Sequence, residues 1–454
     1  MSIVWTPHDY QLRAVKLLLS QGSGGLLLDP GLGKTAVCLA AYKVLKKKGL
    51  APGGMLVIAP LRPCYSVWPN EVEKWADFNE LTYAVIHGDD KKQMLDLDVD
   101  IHIINPEGLP WLFEQKPRRW RNWTILCVDE STKFKHSTTK RFRLMRHHFP
   151  RFDRRWILTG TPIPNGIEDL FGQIFILDLG RALGRYITHY RNEYFHVEPW
   201  DRYNYIPNHG AWETIVERID PLVLRLSAQD YLTMPPLPYI DPIMVDLPDE
   251  AREKYQEIED EFITQLEEGI VVAANSAVAG GKCRQICNGA LYINPQHDWV
   301  GIHDAKIEAL EEVLEELGGA PTIVMYEFNH DKERLLGRFG STTPVLGGGT
   351  SARRADQYIQ EFNDGKIPLM ICHPGSMAHG LNLQETCHHM IWFGLTWNLE
   401  HYDQAIARIY RQGQKNPVFV YHILARDTLD ERVMGVLKDK DYTQKKLFAS
   451  LTTR

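Results

Sequence analysis

The run Gly31-Leu32-Gly33-Lys34-Thr35 sits between an apolar stretch, LLL at 26–28, and a segment with helical spacing, GKTAVCLAAYKVLKKK. A strand-to-helix turn of this kind points backbone N–H groups and a helix N-terminus at one spot, which suits phosphates. Lys34 would reach the β and γ phosphates, and Thr35 a magnesium ion. The strict phosphate-loop pattern is not met, because its first glycine position is Leu28. A metal held there needs a carboxylate at the tip of a neighbouring strand, and TILCVDEST supplies one. Asp129 would hold Mg2+, and Glu130 would polarise an attacking water. Such a pair is common after apolar runs; its distance of about one α/β half-domain from the loop gives it meaning. Upstream, the amide of Gln11 in HDYQLRAV can pair with the N6/N7 edge of adenine, with Tyr10 or His8 to pack nearby. LTGTPIPN at 158–165 ends a strand in Thr159 and Thr161, whose hydroxyls can relay position between a nucleotide and a bound strand.

A second constellation lies near the end of the sequence. Read as a helix, HYDQAIARIYRQGQ at 401–414 puts Gln404, Arg408 and Arg411 on one face and Ala405, Ile406 and Ile409 on the other. Two guanidiniums on a partly buried face need an anionic partner. The spacing predicts no acidic residue on that face, so the anion must come from elsewhere.

Two lobes are expected to position these groups. Residues 26–160 alternate continuous apolar runs (LLL, MLVIA, IHIIN, TILCVD, WILTGT) with amphipathic stretches, which indicates a parallel sheet covered on both faces. Residues 166–225 turn aromatic and polar and read as a helical or irregular insertion. LTMPPLPYIDP at 232–242, with four prolines, marks a stiff connector. A second series follows: TIVMYEF, TPVL, LMICH, HMIWFGL and VFVYHIL. The expected architecture is α/β, with two RecA-like parallel-sheet lobes in tandem and helical insertions. The first lobe spans 1–230 with its insertion at 166–225. The second spans 231–454 with a helical insertion at about 249–318 and a closing helix at about 428–450.

Composition excludes several classes. At 454 residues, 44% hydrophobic and 24% charged, the chain has the profile of a multidomain globular protein. No apolar run approaches the length of a membrane span, and MSIVWTPHDYQ lacks the basic start and apolar core of a signal peptide. Seven cysteines make no disulfide framework, and Cys283 and Cys287 have no second pair to complete a zinc site. Net charge is −7, yet 116–155 holds thirteen Lys or Arg against Asp129, Glu130 and Asp153. That basic run around the candidate strand favours a nucleic-acid or polyphosphate role.

Taken together, YQ at 10–11, GLGKT, APLRPCYSVWPNEVEKW at 59–75, DES at 129–131, LTGTPIPN, CRQICN at 283–288, GLNL at 380–383 and WNLEHYDQAIARIYRQGQ at 397–414 run in the order of a known family. The chain resembles the Snf-type, chromatin-remodeller-like ATPases of helicase superfamily two over nearly its whole length. The resemblance implies ATP and Mg2+ as ligands and an ATP-driven motor on double-stranded DNA. It implies that the second lobe closes over the nucleotide, with Arg408 and Arg411 on the γ-phosphate, Gln404 orienting the site, and Gly380 near nucleotide. DNA phosphates would meet main-chain amides and Arg62, Lys133, Lys135, Thr161 and Ser376. The sequence departs from the family where its acidic box carries a histidine: Ser131 and Thr132 follow the carboxylates here. Coupling from the nucleotide to LTGT must then run through Thr132 or by another route. A core without appendages resembles stand-alone bacterial or phage members, with a cytoplasmic location expected. The rival readings are a strand-separating, single-strand or RNA helicase and a non-hydrolysing, nucleotide-gated DNA clamp.

Overall fold

The computed structural model describes residues 3–115, 123–198, 201–231, 234–267, 273–377 and 381–451. The chain divides into two compact units, Met1–Leu232 with Lys440–Arg454, and Thr233–Asp439.

In the first unit β1 (Ser23–Leu28), β2 (Met55–Ile58), β3 (Tyr83–Val85), β4 (Ile101–Ile104), β5 (Ile125–Asp129) and β6 (Arg154–Thr159) run parallel. β7 (Phe195–Glu198) and β8 (Asp201–Pro207) form a separate antiparallel hairpin. β9 (Val223–Leu226) returns to pair with β1, completing the order β3-β4-β2-β5-β6-β1-β9. Apolar residues fill both faces because successive side chains of a strand point to opposite sides. Leu27, Leu56, Leu126 and Ile157 enter one core, and Leu26, Val57, Cys127 and Leu158 the other.

The 166–225 stretch is more integral than an insertion. Helix Leu170–Asp178 and the rings of Tyr190, Tyr194 and Phe195 are buried in the first of those cores, and β9 is a strand of the main sheet. Its aromatic run therefore packs on its own unit. Helix Leu429–Ser450 closes the chain, and Leu447 and Leu451 also join the first unit's core. Residues from Lys440 onward thus cluster with the first unit, not with the second lobe to which their position in the sequence assigns them.

The second unit holds β10 (Ile243–Val245), a small antiparallel pair of β11 (Ala290–Tyr292) and β12 (Trp299–Gly301), then β13 (Thr322–Met325), β14 (Val345–Leu346), β15 (Leu369–Cys372), β16 (His389–Trp392) and β17 (Phe419–Ala425). Its main sheet is parallel in the order β10-β17-β16-β13-β15-β14 and is again buried on both faces. Among the described residues no helix is long and apolar enough to cross a membrane. The cysteines are all free and buried, and no cluster of metal-ligating side chains is found among the described residues.

Candidate active site

The carboxyl ends of β1, β6 and β5 carry the first constellation, the usual place for ligands on a parallel sheet. After β1 the chain turns through Gly31 (φ 89°) and Gly33 (φ 77°), both in the left-handed region that glycine adopts without strain. Gly33 is the N-cap of helix Lys34–Lys47. A Cβ there would lie 2.5 Å from Gln11 Nε2 and would displace the amide that spans the turn, in addition to the strain of the left-handed φ. Gln11 is buried and spans this turn: Nε2 donates to Leu32 O at 3.2 Å, while Oε1 accepts from His8 N at 3.0 Å. Behind it the rings of His8 and Tyr10 stack at 5.2 Å.

Lys34 Nζ donates to Leu28 O at 2.7 Å, the carbonyl of the residue that replaces the pattern's first glycine. Its positive charge also acts on Asp29 and Asp129, opposing the rise that burial imposes on both carboxyls. Asp29 is fixed by Ala228 N at 2.9 Å and Ser227 Oγ at 3.2 Å, which ties the loop to the chain beyond β9. Asp129, at the tip of β5, accepts from Trp68 Nε1 at 3.0 Å on Oδ2 and from Glu130 N at 3.1 Å on Oδ1. Burial is the larger influence on its carboxyl and pushes it up; the indole N–H and Lys34 pull it down. Glu130 leaves the strand with φ 50°, a left-handed conformation uncommon for residues with a side chain. Thr35 is buried on the first turn of the following helix. Its hydroxyl and the Asp129 carboxylate are hard oxygen donors, the chemistry that magnesium requires.

The Thr159–Asn165 loop lies beside this tip, with Leu158 of β6 paired to Asp129. Thr161 N donates to Thr159 Oγ1 at 3.1 Å. Thr161 itself is buried, which does not suit it to direct contact with a nucleic-acid strand, and Asn165 is the exposed residue of the loop. Lys135 is likewise not a surface cation: Nζ pairs with the buried Asp169 carboxylate at 3.4 Å. Arg62 and Lys133 are half-buried.

In the second unit the expected arginine helix is shorter than its spacing predicts. It spans Leu399–Ile406, and Arg408 and Arg411 lie in the turns beyond it. At its end the backbone bonds tighten to three-residue spacing, Arg408 N to Ala405 O at 3.0 Å and Ile409 N to Ile406 O at 3.1 Å, and the carbonyls beyond are held from elsewhere: Arg408 O accepts from Leu383 N at 3.3 Å, and Ile409 O from Gln414 Nε2 at 3.1 Å. The expectation of no acid at matching spacing is also overturned. Glu400, four residues before Gln404, is buried and accepts from Gln404 Nε2 at 3.3 Å. Arg411 Nη1 donates to Asn382 Oδ1 at 2.6 Å and Leu381 O at 3.4 Å, joining the arginine turn to the GLNL segment. Ser376 is half-buried in the short helix Pro374–Met377. Gly380 lies outside the described residues.

The SNF2-related domain model matches residues 10–290, and the helicase conserved C-terminal domain model matches 305–413. The chain belongs to the SNF2-related family. Among its relatives, a protein designated p41 of Acyrthosiphon pisum secondary endosymbiont phage 1 is 35% identical over 95% of both chains. The uncharacterized ATP-dependent helicase MG018 of Mycoplasma genitalium is 25% identical over 97% of this chain, which spans only 42% of MG018. The Sulfolobus solfataricus SWI2/SNF2 ATPase core, solved in complex with dsDNA, covers 99% of this chain at 21% identity and a TM-score of 0.45.

Two residues of this SNF2-related site escape the sequence pattern. Trp68, which grips Asp129, reads as an ordinary core aromatic in PLRPCYSVWPNEVEKW. Gln173, which bonds Ser131 and Pro162, interrupts an otherwise apolar helix, LFGQIFILD; that interruption is the one signal the sequence offers.

Proposed function

We propose that this SNF2-related protein is an ATP-hydrolysing motor that moves along double-stranded DNA. The observation that supports this best is the placement of Lys34 where its charge acts on both Asp29 and Asp129, beside the left-handed turn at Glu130. A lysine, a metal-binding carboxylate and a water-polarising carboxylate at the ends of neighbouring parallel strands are the parts that phosphoryl transfer to water requires. Gly31, Leu32 and Gly33 present amides to the phosphates, and Lys34 exchanges its Leu28 carbonyl for phosphate oxygens. Thr35 and Asp129 would hold Mg2+, which when bound neutralises charge on the phosphates. Gln11 senses the base and, through Leu32, the loop. Arg408 and Arg411 are assigned to the charge that develops on the γ-phosphate, with Gln404 holding the start of that turn and Gly380 near nucleotide. The duplex is held mainly by its phosphates, met by Arg62, Lys133, Ser376 and the loop that carries Thr161 and Asn165, so that binding depends steeply on salt.

The test is steady-state ATP hydrolysis by the purified protein alone, then with blunt duplex DNA, single-stranded DNA and RNA of equal length. The expected result is strong stimulation by duplex, abolished in Glu130→Gln and reduced about 10³-fold or more in Arg411→Ala. Stimulation by single strands alone would replace this reading with a strand-directed helicase. No hydrolysis under any condition would replace it with a nucleotide-gated clamp.

A further inference from the structure

Ser131 follows Glu130 directly and is fully buried. Its Oγ lies 2.7 Å from Gln173 Oε1, and Gln173 Nε2 donates to Pro162 O at 2.5 Å and to Asp169 O at 2.9 Å. The chemistry fixes the amide's orientation. Both carbonyls can only accept, so the NH2 must face them and Oε1 must face Ser131, whose hydroxyl donates. Gln173 is 1% exposed, and the residues around it on helix Leu170–Asp178 are Leu170, Phe171, Ile174, Phe175 and Ile176, all buried. An apolar side chain would fill such a position at no desolvation cost, so the amide there calls for an account.

The helix is pressed against the turn it serves. A Cβ on Gly172 would lie 2.2 Å from Phe134 O and 2.6 Å from Lys135 O, so only glycine allows the approach. A second bridge runs alongside: Lys135 Nζ meets Asp169 Oδ2, which also accepts from Asn165 N at 2.9 Å. The Ser131–Lys135 turn is thus tied twice to the Pro162–Asp169 segment, by a neutral relay and by an ion pair.

We infer that Gln173 is a positioning residue that couples the Thr159–Asn165 loop to Glu130 through Ser131, so that hydrolysis responds to duplex. The route passes through Ser131, the residue before the Thr132 that stands where the family has its histidine. A fully satisfied buried polar chain shifts as a unit: displacement of Pro162 moves the amide, the amide moves Ser131, and Ser131 turns the peptide that carries Glu130. The inference rests on the duplex-motor reading above.

The experiment measures ATP hydrolysis by the full chain, unstimulated and at saturating blunt duplex, in wild type, Ser131→Ala, Gln173→Met and the double variant. The readout is the ratio of stimulated to unstimulated rate. A variant that is partly unfolded loses both rates together and leaves the ratio unchanged, so a purely structural role does not move it. The expected ratio falls about fivefold or more in each single variant, the lower end of ordinary coupling energies. The double variant should fall no further than Gln173→Met, because both side chains serve one path. Ratios within about twofold of wild type in both singles, or additive losses in the double, overturn the relay while the motor reading stands. Ser131→Ala removes one hydroxyl only, which keeps the test decisive if Gln173→Met does not fold. A wild type that duplex does not stimulate overturns the motor reading, and the relay with it.

Discussion

Trp68→Phe is expected to separate magnesium binding from everything else the site does. The substitution keeps an aromatic ring in a fully buried position and deletes one bond, the 3.0 Å donation from Nε1 to Asp129 Oδ2. Asp129 is itself buried, and that indole is the side-chain donor that opposes the upward push of burial on its carboxyl. Hydrogen bonds to charged groups contribute about 1.5–3 kcal/mol, and outer partners of a metal ligand are worth about 10–100-fold in metal affinity. Because Glu130 N still donates to Oδ1 at 3.1 Å, the lower end applies: about a tenfold rise in the Mg2+ concentration needed for half-maximal hydrolysis. The assay titrates Mg2+ at saturating ATP and duplex. Trp156→Phe is the control, since Trp156 is equally buried and its Nε1 has no hydrogen-bond partner among the described residues. A shared Mg2+ curve for the two variants, or a fall in the maximal rate at unchanged Mg2+ dependence, would refute the reasoning.

Two further outcomes concern the second unit. Lys306→Met should destabilise it by about 3–5 kcal/mol in denaturant unfolding, because Lys306 is 1% exposed and pairs at 2.5 Å with Asp430, which is left charged and buried without it; Lys306→Met with Asp430→Leu should recover at least half, and a single-variant loss below about 1 kcal/mol would count against an ion pair of this kind. His422, buried beside Tyr402 OH at 2.9 Å, is pushed down from the usual 6.5 to about 3, chiefly by burial and then by Lys438. The unfolded chain takes up that proton near 6.5 and the folded one only near 3, so this residue's stability is full above the upper value and is lost as pH falls between them. From pH 7 to 5 the loss is about 2 kcal/mol; His422→Gln should show a correspondingly smaller drop in thermal unfolding, and equal drops would refute the assignment.

What the sequence made legible follows from where the physics is local. Buried parallel strands need continuous apolar runs, so β1, β2, β4, β5 and β6 stand out in the letters, as do Gly31 and Gly33 beside Lys34. β3, β9 and β10 do not, since three or four residues gain strand character only from the neighbour that pairs them. The stretch at 166–225 reads as a helical or irregular insertion because aromatic and polar residues alternate there without a clear period. In the structure the rings of Tyr190, Tyr194 and Phe195 fill a core that distant helices complete, while Arg191 stacks over Tyr205 at 4.0 Å and pairs with Glu168. Trp68 lies in the family-like run at 59–75 and Gln173 interrupts an apolar helix, yet their roles are not legible from residue type, because the meaning of each lies in the direction of its hydrogen bonds.

The arginine turn carries the argument furthest. Helical periodicity places Arg408 and Arg411 on one ridge, but beyond Ile406 the backbone bonds tighten to three-residue spacing, and Leu383 N and Gln414 Nε2 hold the carbonyls of Arg408 and Ile409 outside any helical ladder, so the ridge is not continued. The consequence is chemical. Lys34 rests on a carbonyl, Gln11 on another, and Arg411 on the Asn382 amide oxygen. Those acceptors carry no net charge, and a phosphate oxygen in their place would add ion–ion attraction to each bond from Lys34 and Arg411. Under the proposed reading, a nucleotide would draw Lys34 from the Leu28 carbonyl and Arg411 from Asn382, and so act on the phosphate loop and on the GLNL segment. In that reading the rearrangement would begin at segments assigned to nucleotide and would reach the Thr159–Asn165 loop, assigned to the duplex, through the Ser131–Gln173 relay, a linkage that a rigid clamp does not need.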